Sequence, residues 1–178
     1  MKQTNEIAGS TGDLVTGLFQ RILDSLPAGW ALLRVEPSQR YREIFSVSLV
    51  PSNERSAEFS ATVLGDRLDS VDFGRKPTFT QFECPWEIGL PRSAGLDRQL
   101  DVVARMCLAV IAGRCEHRFE RRSTRGSIYV SEKEVYRVGD TGLMWLIWPR
   151  RNPQPAVQYA PYFPGAESHV QSFSRLSL

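Results

Sequence analysis

The sequence predicts an α+β domain: an antiparallel β-sheet meander packed by two main helices, in the order α-β-β-β-β-β-α-β-β-β, followed by an irregular C-terminal tail. Three observations carry this reading. Apolar residues recur at helical spacing in two stretches, they alternate with polar residues between and after those stretches, and Gly, Pro and Asn cluster where the period changes. At 178 residues the chain fits one domain, read as residues 1–149, with a Pro- and Ser-rich tail or docking strap at 150–178. Its 42% hydrophobic and 24% charged residues are enough to build a core without disulfides or a structural metal.

The first helix is carried by Leu14, Leu18, Phe19, Ile22, Leu23 and Leu26, which fall on one face between a start near Asp13 and a stop at Pro27. Gly12 and Gly17 weaken its beginning. From Gly29 to Phe82 the period becomes two. Leu33 and Val35, then Phe45, Val47 and Leu49, then Phe59, Ala61 and Val63 alternate with polar residues, the pattern of antiparallel strands with one buried and one wet face. Turn residues separate the runs at Pro37-Ser38, Pro51-Ser52-Asn53 and Gly65-Asp66, the last close enough to join a hairpin.

Gly89 to Pro91 interrupts the sheet, and Ser93 is placed to cap a second helix. Leu96, Leu100, Val103, Cys107, Val110 and Ile111 form its apolar stripe, with Asp97, Arg98, Asp101 and Arg105 on the other side. An Arg-rich run from Arg114 to Arg125 reads as a charged helix end. Strands follow at Ile128–Val130, Val135–Val138 and Leu143–Trp148. Beyond Pro149 no period survives.

Charge and cysteine usage narrow the function classes. The net charge is +2. Residues 1–89 hold 9 Lys/Arg against 12 Asp/Glu, and residues 90–178 hold 13 against 8. This asymmetry is milder than a nucleic-acid footprint, so nucleic acid is not the expected partner. Cys84, Cys107 and Cys115 are an odd set that fits buried free thiols better than a disulfide framework. The opening residues carry no apolar signal core and no stretch is long enough to span a bilayer, so a cytoplasmic protein without a membrane partner is expected.

The search for chemistry is largely negative. His117 and His169 are the only histidines, and no zinc-type spacing surrounds them. No cofactor or metal is therefore expected, with Cys115 packed and His117 acting as a helix-end cation. Cys107 reads as an inert filler of the helix face. Cys84 is expected to be more exposed, but a nucleophile also needs a positioned base. No phosphate loop occurs. The carboxylates Asp66, Asp69 and Asp72, followed by Glu83 and Glu87, admit an alternative: a metal-dependent hydrolase or nuclease using Asp69, Asp72, Glu83 and Lys76. Solvated strand and turn charges explain the same run, with Asp69 on the wet face.

The most unusual stretch is Val71 to Arg92, which combines Phe73, Phe79, Phe82 and Trp86 with Gly74, Pro77, Pro85, Gly89 and Pro91. Aromatic and Arg residues in a stiffened loop are the material of binding hot spots; the same aromatics would equally fill a core. Trp145 and Trp148 beside Arg150 and Arg151 form a second candidate, and would support a third reading as an accessory subunit of an oligomer.

The helix ending in Leu26-Pro27-Ala28-Gly29-Trp30, the meander, the strip GDRLDSVDFGRKPTF, the long second helix and the terminal strands together resemble bacterial immunity proteins. These guard the cell against polymorphic or contact-dependent toxins. The resemblance covers about residues 10–150 in size and organisation. It implies a non-enzymatic, cytoplasmic protein that masks a toxin's active site, with Asp72, Phe73, Arg75, Lys76, Phe79, Trp86 and Glu87 as partner-binding residues. The near-neutral charge departs from the acidic character of many immunity proteins, which argues against a strongly basic nuclease target.

Overall fold

The computed structural model describes residues 10–38, 43–75, 78–119, 124–140 and 154–173. Helix α1 spans Thr11–Ser25. It begins two residues before the expected start near Asp13, because Ser10 and Asp13 form a capping box: Ser10 Oγ accepts from the Asp13 N–H and the Asp13 carboxylate accepts from the Ser10 N–H. Val15, Leu18, Phe19 and Ile22 are buried, whereas Leu14, expected on the same face, is 40% exposed.

Five strands follow, β1 (Ala31–Pro37), β2 (Ile44–Pro51), β3 (Glu58–Leu64), β4 (Arg67–Arg75) and β5 (Thr78–Glu83), paired in sequence order as an antiparallel meander. The hairpin between β3 and β4 turns on the two residues Gly65-Asp66, with Gly65 at φ +58°, a conformation that glycine adopts without steric cost. Val47, Leu49, Phe59, Ala61, Val63, Val71, Phe73 and Phe82 fill the inner face. Val35 departs from the expected pattern at 50% exposure, because β1 is an edge strand with a neighbour on one side only.

Helix α2 spans Leu96–Ile111 and starts at Gly95, which lacks a capping side chain; Ser93 is not the cap. The single apolar stripe also understates its burial. Val102, Val103, Ala104 and every residue from Met106 to Ile111 are buried, because α2 is packed against α1, β3 and β4 as well as against elements that come later in the chain. The buried all-round stretch is the C-terminal half of the helix; Asp97, Arg98 and Asp101 nearer its start stay exposed.

Arg118 and Arg125 of the Arg-rich run lie on strands, not on a helix end. Gly113, at φ +73°, closes α2: its N–H bonds Val110 O and the Arg114 N–H bonds Ala109 O, the paired bonds of a Schellman stop. The chain then enters β6 (Cys115–Phe119), β7 (Thr124–Tyr129) and β8 (Val135–Asp140), which join β9 (Gln154–Gln158) in a second antiparallel sheet ordered β8-β7-β6-β9. The strand expected at Leu143–Trp148, with Trp145, Trp148, Arg150 and Arg151, lies outside the described residues.

The C-terminal segment, aperiodic in sequence, contributes β9 and a short helix, α3 (Ala166–Phe173). Its attachment is specific. Tyr162 is fully buried and donates to Leu49 O (3.1 Å) while its N–H bonds Ile111 O (2.9 Å). Pro161 O accepts from Asn53 Nδ2 and Ser56 Oγ, and His169 Nε2 bonds Ser25 O (2.7 Å). Short-period statistics do not detect such a segment, since its bonds are to residues far away in the sequence.

His117 links the two sheets. It is fully buried on β6, stacks on Phe73 of β4 (centroids 4.7 Å apart, planes within 8°) and bonds Tyr159 through Nδ1 (2.6 Å). Burial holds its imidazole down at about 4, so it is neutral at physiological pH and is not the expected cation. On the opposite face of β6, Glu116 is buried too. Burial alone would raise its pKa, but hydrogen bonds donated by Tyr129, Arg118 and Gln158 hold it below the ordinary value.

Two outcomes test this packing. A Cβ on Gly113 would lie 2.6 Å from Pro161 N, so Gly113→Ala, which adds a positive-φ penalty to a backbone clash, is expected to destabilise by about 2–3 kcal/mol in denaturant unfolding. A neutral histidine whose pKa is depressed on folding contributes stability above about pH 6.5 that is lost as pH falls toward about 4. The stability gap between the natural chain and His117→Gln should therefore narrow over that range when unfolding curves are compared pH by pH.

Candidate functional site

The outer side of the first sheet is polar and carries small side chains. Arg34, Ser48, Ser60, Asp72 and Gln81 are successive cross-strand partners from β1 to β5. Ser48 and Ser60 are buried although the row faces away from the core, and Asp72 is half-buried between Ser60 and Gln81.

A β-bulge adds a second carboxylate. Thr62 pairs with Ser70 and Val63 with Leu68, so Asp69 is the extra residue on β4. Simple alternation would put it on the side of Val71 and Phe73, in the core; bulges re-aim side chains in this way. Asp69 instead lies beside Asp72, where its charge is felt. One of its oxygens pairs with Arg67 Nη2 at 3.2 Å. Burial first, and Asp69 second, push the Asp72 carboxyl up to about 7. Among the described residues Asp72 receives no hydrogen bond, and Ser70 Oγ, on the same side of β4, is sealed from water without a partner.

Cys84 closes the cluster. Its N–H bonds Asp69 O at 2.8 Å, and burial, then Asp69, then Asp72, raise its thiol to about 12. A thiol so held is not a thiolate nucleophile at neutral pH. His117 is enclosed in the core and His169 is committed to Ser25 O, so neither is placed as its base. Cys107 and Cys115 are buried free thiols, as their sequence positions predict.

Cys84 also begins the turn that carries Trp86. The Glu87 N–H bonds Glu83 O (2.8 Å), the Glu83 N–H bonds Glu87 Oε2 (3.0 Å), and the Leu90 N–H bonds Pro85 O (3.1 Å). Ile88 pins this turn into the core at 1% exposure, while Trp86 projects at 66%. Arg92 lies over the indole, its Cζ 5.7 Å from the ring centroid, a cation–π geometry.

The residues expected to bind a partner thus separate. Asp72 is half-buried on β4 and Arg75 is exposed at its end, while Trp86 and Glu87 lie on the turn after β5. Phe73 is a correction: it is fully buried against His117 and Phe82 because its position on β4 faces α2 and the second sheet, and so it belongs to the core. Lys76 lies outside the described residues, and of Phe79 the backbone pairing with Gly74 is described. For the hydrolase alternative, Asp69 and Asp72 come together, while Glu83 stands opposite Ser70. Among the described residues no group of three or more His, Cys, Asp or Glu is arranged to hold a metal ion. Sequence reasoning missed Ser70, Cys84 as a neighbour of the carboxylates, and Arg92. The bulge that assembles the first two has no short-range signature here, and Arg92 reaches Trp86 only through the turn.

No protein-family model, curated protein or solved structure matches the chain.

An acid whose pKa is raised on folding contributes stability in full below its unfolded value and loses it as pH rises through the folded one. For Asp72 that window runs from about 4 to about 7, opposite in sign to that of His117. Asp72→Asn is therefore expected to gain stability relative to the natural chain as pH rises across the window, with a higher unfolding temperature at pH 8; equal differences at pH 5 and pH 8 would contradict the burial of this charge.

Proposed function

We propose that the chain is a non-catalytic protein-binding module that acts as an immunity protein, neutralising a cognate bacterial toxin by covering its active site. One observation carries this reading: Trp86 is held out from the surface on a turn fixed by hydrogen bonds and a buried Ile88, with Arg92 against its ring and Glu87 beside it. An exposed aromatic on a rigid support loses little conformational entropy on binding and supplies a large contact area. Asp69 and Asp72, tied to the same turn through Cys84, add acceptors at its edge. The contact surface is accordingly Asp72, Arg75, Trp86 and Glu87, with Asp69 and Arg92 added and Phe73 removed.

No described helix is long and apolar enough to cross a membrane. The role proposed here places the protein in the cytoplasm, where an immunity protein meets its toxin, and requires neither cofactor nor nucleic acid. A metal-dependent hydrolase would draw on the same aspartate pair, but it needs ligands beyond those two carboxylates and a hydroxyl.

The test is a pull-down from the native cell followed by calorimetry on the recovered partner. Trp86→Ala is expected to weaken binding by about 2 kcal/mol, roughly 30-fold, while the unfolding midpoint stays within about 0.5 kcal/mol of the natural chain, as surface substitutions do. Unchanged affinity in Arg75→Ala, Trp86→Ala and Glu87→Ala would remove this surface from the interface.

A further inference from the structure

We infer that β1 is a self-pairing edge: two copies of the chain join antiparallel along β1, about a two-fold axis at Val35, and their five-stranded sheets become one. The inference goes beyond the binding surface proposed above and stands without it.

The backbone provides the opening. Among the described residues β1 has β2 on one side and no strand on the other. The Ser38 N–H bonds Ile44 O and the Ser52 N–H bonds Trp30 O, so the residues of β1 in phase with them, Leu32, Arg34 and Glu36, turn their backbone groups toward β2. Those of Ala31, Leu33, Val35 and Pro37 point to the open side. Edges are commonly kept from pairing by a bulge or by like charges. β1 runs in unbroken register from Ala31 to Pro37, and its two charges, Arg34 and Glu36, are opposite in sign.

Apolar exposure concentrates at the same edge. Six large apolar side chains are exposed among the described residues, and three of them, Trp30 (36%), Leu32 (51%) and Val35 (50%), lie on β1 or next to it.

The order of the residues identifies a second copy as the occupant. With the axis at Val35, Arg34 of each copy stands opposite Glu36 of the other, and both side chains are open to solvent, at 36% and 59% exposure. These are non-hydrogen-bonded positions of the new ladder, where opposed side chains come closest. Within one chain the two groups pair along the strand at 3.7 Å; the second copy gives each a partner across the strands as well. On the inner face Val35 covers its own counterpart and Leu33 lies against Pro37. The two Val35 residues exchange both backbone bonds, and each Leu33 N–H donates to a Pro37 carbonyl. Pro37 has no N–H to return, so the ladder ends there. An axis at Leu33 would instead face Arg34 with Leu32 and Glu36 with Trp30 and lose both ion pairs, so charge selects the Val35 register.

Sheet order places β5 at the other edge. Pairing through β1 therefore leaves the turn after β5, with Trp86, at the two outer ends of the joined sheet, and self-pairing leaves that surface uncovered.

Analytical ultracentrifugation of the full chain tests the pairing. The natural chain is expected to sediment as a reversible dimer of twice its 20.1 kDa mass, dissociating on dilution and on addition of salt, which screens exposed ion pairs. Arg34→Glu and Glu36→Arg each set like charges opposite one another on both sides of the axis, and each should raise the dissociation constant about tenfold. An equimolar mixture of the two variants brings opposite charges face to face again and should dimerise as the natural chain does. Hydrogen exchange on the natural chain gives an independent readout: the Leu33 and Val35 amides gain protection as concentration rises, while those of Arg34 and Glu36, already turned to β2, do not change. A monomer at every concentration, a dimer indifferent to either charge reversal, or a mixture that stays monomeric would overturn the inference. So would exchange at Leu33 and Val35 that is independent of concentration.

Discussion

A neutral histidine enclosed between the two sheets is the constraint on which the rest of the fold depends. His117 stacks on Phe73 from the meander and hydrogen-bonds Tyr159 from the segment that follows β9. A charged imidazole in that position would need a counter-charge, and the neighbours are aromatic; the site therefore works only with the proton absent. One ring thus touches the first sheet, the second sheet and the C-terminal segment, and it acts beside the bonds that Tyr162, Pro161 and His169 make to the same body. The C-terminal half of α2 is buried among these same elements.

The two faces of β4 differ: one is packed into the core, and the other is part of the surface proposed for binding. Its inward residues, Leu68, Val71 and Phe73, are packed, and its outward residues, Ser70 and Asp72, remain polar and incompletely bonded. The bulge at Asp69 is the hinge between these roles, because it keeps Leu68 in the core while adding a carboxylate to the outer side. Unmatched acceptors there are costly in the free protein.

Much of the secondary structure was legible in the chain because it rests on local periodicity: α1, the meander through β5, the Gly65-Asp66 hairpin and the body of α2. The errors share one cause. The stop at Gly113 was readable as a glycine after an apolar run, yet the arginines beyond it resemble a charged helix end unless the strand pairing of Arg118 with Arg125 is known. β9 and α3 gain their stability from distant partners such as Leu49, Asn53 and Ser25, and local sequence carries no record of those. Phe73 and Trp86 look alike as aromatics in a loop-rich strip, and only their surroundings separate a core residue from a contact.

The sequence by itself determined the fold class, the absence of recognised metal and nucleophile motifs, and the strip from Val71 to Arg92 as the part most unlike a plain scaffold. These follow from residue type and spacing, which act over a few positions. Only the tertiary structure decided that His117 is a buried neutral ring, that Phe73 belongs to the core, that Trp86 projects from it, and that a bulge inserts Asp69 into β4. Burial and electrostatic proximity are properties of residues brought together from separate strands, so the pKa values and unpaired acceptors that define the candidate site exist only once the sheet, with its bulge, has formed.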